Sequence, residues 1–456
     1  MKITLQHLNT WYQDHLPWIL DNYISLLKIP SISTDPSYKD SIQEAAEFVM
    51  DQLKSMHFKV EKWETAKHPV IFASYEVGPS KPTLLIYHHY DVQPTDPLQE
   101  WSSPPFEPLL KDNAIYARGA SDNKGQLMYT LTALKAYQEL SSFGLNIKLF
   151  IEGEEECGSV GSRLILKSKQ QELQSDYLLI VDTLIPSIDT PAITIGLRGL
   201  LTMEVVCSNS TVDLHSGALG GIALNPNQAL VTLLAKCFDD QGRVIIPGFY
   251  EGIAKLSTEE ERDMFKEVDT AYLTKQFGLQ AFQGDTSEML WEKNTLLPTF
   301  EINGITGGYT GPGFKTVIPS KASAKISCRL VPHQNPEKIF ALIQEFLAQH
   351  APKGITLTLH YDSGAPAVRS SSNTPLALVC AKSYTEVFEK PCQKILSGAS
   401  IPLVTDLAAC CNAEVVMMGM ILDSDQMHAP NEHFGLEQLR KGFLTMATIL
   451  GNLSEC

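Results

Sequence analysis

With 456 residues the chain is longer than a single hydrophobic core usually reaches, so two domains are expected. Its formal net charge of −16, from 52 acidic against 36 basic residues, excludes nucleic acid and anionic membrane as partners, because both would repel it. A hydrophobic share of 44% with 19% charged residues, and no low-complexity tract or repeat, excludes a disordered chain.

Nine cysteines, whose one close pair is the adjacent Cys410 and Cys411, outline no disulfide framework and imply a reducing compartment. The opening stretch MKITLQHLNTWYQDHLPWIL lacks the basic, apolar and small-residue regions of a signal peptide. The most apolar run, AEVVMMGMIL, is too short for a bilayer. A soluble cytoplasmic protein is expected.

In chain order, helical spacing of apolar residues runs from Leu8 to Leu27 and again from Ile42 to Met56. Strand-like runs follow at VIFASYEV and TLLIYHHY, then a helix in GQLMYTLTALKAYQEL, a strand in NIKLFIEG, a helix in SRLILKSKQQEL and a strand in YLLIVD. This alternation implies a mostly parallel, buried sheet flanked by helices. Past Arg198 the character changes. LLTMEVVCS and SAKISCRLV alternate like half-exposed strands, and PNQALVTLLAKCF and PEKIFALIQEFLAQH read as helices. From about Pro375 the first pattern returns, with a helix at Leu376–Phe388, strands near Gln393–Leu396 and Glu414–Met418, and a last helix at Leu436–Leu450. The expected architecture is an α/β catalytic domain (residues 1–196 and 371–456) interrupted by an inserted α+β domain (197–370).

The chemistry-bearing residues cluster at predicted strand ends, where open α/β sheets place their ligand sites. TLLIYHHYDVQP ends on His89 and Asp91, whose i, i+2 spacing puts both on one side of an extended chain. His89 can bind a metal while Asp91 holds its imidazole. Taken alone, the pair is equally a strand-end histidine before an acidic turn. Asp122 precedes a long helix and by itself reads as an N-cap, yet a carboxylate held there could bridge two cations. FIEGEEECGS runs a strand into Glu154, Glu155 and Glu156, three acids that repel one another unless a cation or proton relieves them. YLLIVD ends on Asp182, and His428 lies in the loop SDQMHAPNEH. Together these supply two histidines and three carboxylates, a set suited to two zinc or manganese ions sharing one acid. Glu155 is then free to deprotonate a metal-held water.

Competing signals fail. GASDN breaks the nucleophile-elbow pattern at its last position, no HExxH occurs, and in GGYTGPGFKT a Phe interrupts the phosphate-loop spacing.

HYDVQP, Trp101, Pro105 and Phe106, YARGASDNKG, EGEEECGS, DLHSGALGG, KTVIP, CRLVP, GASIP and MHAPNEH stand in the order seen in one family. From about residue 15 to 450 the chain resembles the metallopeptidase family of carnosinase and cytosolic non-specific dipeptidase. That family also holds aminoacylases, succinyl-diaminopimelate desuccinylase and glutamate carboxypeptidases. The resemblance implies hydrolysis of dipeptides or short peptides, a two-metal catalytic domain, and an inserted lid that also mediates homodimerisation. It implies that His89 and Asp182 bind one ion, Glu156 and His428 the other, and that Asp122 bridges them. Glu155 becomes the general acid/base and Asp91 the partner that orients His89. A cis Asp122–Asn123 bond is also implied.

By the same resemblance His215 of DLHSG reaches the partner subunit's active site and stabilises the oxyanion, while Thr316, Arg329 and Ser400 hold the substrate carboxylate. Without the motif, Arg329 reads as a surface ion pair. Aspartate at position 182 resembles the dipeptidase and aminopeptidase branch. Cys157 stands where Ser is usual, and GASIP replaces GGSIP. The rival activity on the same metals is deacylation or desuccinylation of an N-acyl amino acid.

Overall fold

A computed structural model describes residues 3–455 apart from 254, 257, 258, 260, 261 and 263. The first helix, α1 (Leu5–Leu27), starts where the Thr4 side chain accepts the His7 amide, and it buries Leu8, Trp11, Tyr12, Ile19, Tyr23, Leu26 and Leu27. Helix α2 (Lys39–Ser55) buries Ile42, Ala45, Ala46, Val49 and Leu53, the three-to-four spacing that makes one apolar face.

Strands β1 (Lys59–Trp63), β2 (Val70–Tyr75) and β3 (Thr83–His89) follow, then the short β4 (Leu109–Lys111) and β5 (Ala114–Tyr116). Next come α3 (Gln126–Leu140), β6 (Asn146–Glu152), α4 (Val160–Leu166), β7 (Tyr177–Val181) and β8 (Ala192–Leu197). After the intervening unit the chain returns with α5 (Pro375–Phe388), β9 (Glu414–Met418), β10 (His433–Gly435) and α6 (Leu436–Ser454).

The central sheet runs β1-β2-β6-β3-β7-β9-β8. The pairs β6·β3, β3·β7 and β7·β9 are parallel, and the flanking pairs β1·β2, β2·β6 and β9·β8 are antiparallel. Residues Leu84 to His89 are all buried, as a parallel strand covered on both faces requires. The fold is therefore α/β, with a mostly parallel sheet flanked by helices. Parallel register brings the carboxyl ends of β3, β6 and β7 side by side, with His89 opposite Glu152.

The helix expected over SRLILKSKQQEL is broken. After α4 there is a 3-10 turn at Lys167–Lys169 and one helical turn at Gln170–Leu173. The apolar spacing ends at Leu166 and resumes only at Leu173, so no continuous face anchors an unbroken helix. A helix at Pro402–Cys411 and strands at Glu301–Gly307 and Thr356–Ala365 are additions to the sequence-based reading.

The described residues form two compact units. One comprises Met1–Ile195, Ser370–Ile395 and Leu403–Cys456, the other Gly196–Arg369 and Leu396–Pro402. The second unit holds a four-stranded antiparallel sheet in the order Glu301–Gly307, Lys321–Leu330, Gly199–Ser208, Thr356–Ala365. Burial alternates strictly along Gly199–Ser208, so one face carries Leu201, Met203, Val205 and Cys207. These pack with Leu230, Leu233, Ile339 and Ile343 from the helices Pro226–Ala235 and Pro336–His350. Among the described residues no helix is long and apolar enough to cross a membrane.

Candidate metal centre

The site in the first unit is built at the carboxyl ends of β3, β6 and β7 and completed by two loops. His89 closes β3 and is fully buried. Its Nδ1 faces the Asp91 carbonyl at 3.1 Å and Asp91 Oδ1 at 3.3 Å, while its Nε2 faces Asp122 Oδ1 at 2.9 Å and Asp182 Oδ1 at 3.7 Å. One ring nitrogen is thus held from behind and the other presented to carboxylates, the arrangement by which a protein fixes a metal-binding imidazole. Asp91 also accepts the amides of Glu155 at 3.2 Å and Glu156 at 3.0 Å, tying the loop after β6 to the end of β3.

Asp122 is not an N-cap. Helix α3 starts at Gln126, and Asp122 itself is extended at φ −120° and ψ 95°. The Asp122–Asn123 peptide bond is cis, as the resemblance implied. Its two oxygens diverge: Oδ1 meets His89, and Oδ2 meets His428 Nε2 at 2.9 Å. His428 Nε2 also lies 3.3 Å from Glu156 Oε2. His428 has φ 62°, a left-handed backbone uncommon outside glycine.

Ligand-capable atoms of His89, Asp122 and Asp182 lie within 4.8 Å of one another, as do those of Asp122, Glu156 and His428, so the two triads share Asp122. A third grouping, His89 with Glu155 and Glu156, places Glu155 beside both.

Burial raises the Glu156 carboxyl to about 7, helped by Asp122, and raises Glu155 well above the usual range, helped by Glu156. Asp182 is raised by burial and by Asp122. Burial alone would lower His89, but Asp182, Asp122 and Asp91 overcome it and hold it well above its usual value. Burial likewise opposes the charge on His428, and Asp122 and Glu156 outweigh it to hold the group at about 11. For Asp122, burial is overcome by hydrogen bonds from His428 and His89, which keep it below the usual range.

This donor set fits divalent ions. It holds only imidazole nitrogens and carboxylate oxygens, the mixture zinc and manganese accept. Glu156 Oε1 is buried and has no hydrogen-bond partner among the described residues, an acceptor with its capacity unused.

A model of Peptidase family M20/M25/M40 matches residues 85–452. The chain belongs to this family. It is similar to the Cys-Gly metallodipeptidase dug1 of Schizosaccharomyces pombe, 29% identical over 94% of this chain and 94% of that protein. The Beta-Ala-His dipeptidase of Homo sapiens is 33% identical over 80% of this chain and 73% of its own length. The solved structure of the dipeptidase Dug1p from Saccharomyces cerevisiae superposes with a TM-score of 0.89 at 25% identity and covers 100% of both chains.

Within this M20 peptidase, several residues have places that sequence reasoning did not assign. Glu154, adjacent to the two acids of the site, turns away. Its Oε1 accepts from the Thr65 hydroxyl and, at 3.2 Å, the His68 amide, and its Oε2 accepts the Gly161 amide at 2.7 Å. Those donors, rather than a cation, relieve it. Asn123 donates to the Val181 carbonyl at 2.8 Å and to Asp182 Oδ1 at 2.6 Å, while its own Oδ1 faces His88 Nδ1 at 2.7 Å. His88 is buried, which lowers its pKa to about 3, so it is neutral; Nδ1 donates to Asn123 and Nε2 accepts from Thr130 at 3.0 Å. Gln93 donates to Glu156 Oε2 at 2.7 Å. An amide beside an acid carries no sequence signal of its own.

The other expected residues belong to the second unit. His215 pairs with Val317 in a two-residue ladder, next to Thr316, whose carbonyl accepts the Ser216 amide at 3.0 Å. Arg329 lies opposite Leu200, and Ser400 donates to the Gly199 carbonyl at 3.1 Å, so these two flank the same short stretch. Burial lowers the Arg329 guanidinium from its usual value.

Proposed function

We propose that this M20 metallopeptidase hydrolyses the peptide bond of dipeptides or short peptides in the cytoplasm, with two divalent ions, zinc or manganese. The observation that carries this reading is the sharing of Asp122 between two ligand triads with Glu155 beside them. His89 and Asp182 would hold one ion and Glu156 and His428 the other, with Asp122 common to both. When bound, such a pair polarises a carbonyl and lowers the pKa of water.

Glu155 accepts a proton from the attacking water on its carboxylate and returns it to the leaving amine nitrogen, so no net proton is consumed within the cycle. Asp91 keeps His89 in one orientation throughout. Arg329 and Ser400 bind the substrate's C-terminal carboxylate, a task suited to a guanidinium fork and a short hydroxyl donor. Thr316 adds a donor to that carboxylate, and His215 donates a hydrogen bond to the developing oxyanion.

Strand geometry supports action of His215 across a homodimer. The ladder carrying His215 and Thr316 adjoins the Lys321 end of Lys321–Leu330, and Arg329 lies at the other end. Eight residues of strand span roughly 26 Å, several times the roughly 7 Å of an extended dipeptide, a separation that favours the two pairs coming from different subunits.

The test is a panel of unblocked dipeptides with Zn or Mn and a chelated control, beside N-acetylated counterparts. Metal-dependent hydrolysis of the free forms is expected. Cleavage of only the N-acyl forms would transfer the protein to the deacylase reading.

A further inference from the structure

One buried acid that the mechanism leaves unused is Glu432, on the loop that carries His428. It is 1% exposed, and both of its oxygens are saturated. Oε2 accepts from Arg118 Nη1 at 2.7 Å and from the Gly119 amide at 2.8 Å. Oε1 accepts from the amides of Ser121 at 2.9 Å and Asp122 at 3.1 Å and from the Ser121 hydroxyl at 3.1 Å. Three backbone amides immediately before or at Asp122 thus converge on one carboxylate. A concave run of N–H groups is an anion site, and here a side chain of the protein itself occupies it.

The rest of the surroundings tie the same loops together. The Ala117 amide donates to the Glu432 carbonyl at 3.0 Å, and β10 pairs with β5 from His433 opposite Tyr116 onward, so the two loops run side by side into a ladder. Arg118 also donates to the Pro94 carbonyl at 2.9 Å, and its guanidinium lies 5.3 Å from the Trp101 ring centre. Gly119 makes the turn at φ 83°, where a Cβ would stand 2.5 Å from Val92 Cγ1. On the far side of Asp122, Lys124 is anchored to the carbonyls of Leu26 and Ile29 at 3.1 and 2.7 Å. Asp122 is therefore pinned from both directions, and its backbone is tied to the His428 loop through Glu432.

We propose that Glu432 is a positioning residue for Asp122: paired with Arg118, it holds the amides of Gly119, Ser121 and Asp122 so that the shared carboxylate points at His89 and His428 before any metal arrives. The inference rests on the two-metal reading. It assigns to Glu432 a preorganising effect on metal affinity and turnover beyond its part in the fold. Residues that orient ligands in this way typically change metal affinity about 10- to 100-fold when replaced.

The test uses the full chain stripped of metal. Hydrogen exchange should find the Gly119, Ser121 and Asp122 amides protected without metal. Exchange at the rate of an unstructured peptide, with protection only after Mn²⁺ is added, would show that the ion orders the loop and would overturn the proposal. In parallel, Mn²⁺ is titrated into metal-free parent and Glu432→Gln proteins, both kept well below their melting temperatures. The variant should bind about 10- to 100-fold more weakly, with kcat lowered and KM for a dipeptide little changed. A lowered melting temperature with unaltered Mn²⁺ affinity would mean that Glu432 serves the fold alone. If the variant does not fold, the exchange experiment on the parent decides. A parent that binds no Mn²⁺ would sink the two-metal reading, while the exchange result would still judge the clamp.

Discussion

His428 Nε2 and Asp122 Oδ2 meet at 2.9 Å although 306 positions separate them in the chain. The other Asp122 oxygen meets His89 at 2.9 Å, so one carboxylate stands between two imidazoles brought from opposite ends of the sequence. Asp122 thus belongs to both triads, whereas Asp182 belongs to one.

Asp122→Asn should weaken binding of both metal equivalents, whereas Asp182→Asn should weaken one. Loss of a ligand costs more than loss of a supporting group, so affinity should fall by more than about 100-fold at each affected site. Isotherms of Mn²⁺ on the metal-free proteins read the difference directly. Equal loss of a single equivalent in both variants would remove Asp122 from its shared position.

Glu155→Gln should leave metal content near normal and reduce kcat by about 10²- to 10⁴-fold, the usual contribution of one general acid/base. Elemental analysis and turnover on the same sample separate loss of the proton carrier from loss of the ions. A fall in metal content matching the fall in rate would make Glu155 a ligand instead.

Action of His215 across the dimer predicts complementation. His215→Ala and Glu155→Ala homodimers should each be nearly inactive, but subunit exchange gives hybrids in which one of the two sites is intact. Random exchange makes half the dimers hybrid, so the mixture should recover about a quarter of the parental rate. No recovery in a mixture shown to exchange subunits would place His215 in its own subunit's site.

Asp425 supplies a pH prediction away from the metal ligands. Burial, aided by Glu432 and Asp423, raises its carboxyl to about 7, despite bonds from the Leu422 amide and Gln438. The native state keeps the proton up to that pH while the unfolded chain releases it near 4, so between about pH 4 and 7 the unfolded state binds fewer protons. Stability must therefore fall as pH rises through that window, by a total on the order of a few kcal/mol. Asp425→Asn should abolish this share of the slope. Urea unfolding of parent and variant at pH 5 and pH 8, compared as a difference so that shared metal effects cancel, checks it. A parent-minus-variant difference independent of pH would contradict the shift.

The sheet was legible because its central strands are short, nearly unbroken apolar runs bounded by chemistry at their ends. TLLIYHH is β3, and its buried stretch from Leu84 to His89 could only be covered on both faces. The break after α4 was less legible, because lysine and glutamine continue a helix in composition while offering nothing to bury. In the site, residue types and strand ends pointed to His89, Asp122, Asp182 and His428, and the resemblance set Glu155 and Glu156 of the acidic run after β6 apart from Glu154, which residue type alone does not do. Adjacent glutamates look alike in sequence. Only folding placed Thr65, His68 and Gly161 against Glu154 and left Glu155 and Glu156 facing the centre.

By itself the amino-acid sequence determined the α/β pattern, the acidic character of the chain, and the inventory of imidazole and carboxylate groups able to hold a metal. Those follow from periodicity and side-chain chemistry, which are local. The tertiary structure alone decided that Asp122 faces two histidines, that Asn123 aims Asp182, and that Glu432 closes over the amides beside Asp122. Each depends on side chains converging across tens to hundreds of positions, and such convergence is set by how the strands and loops pack, which no short window of residues encodes.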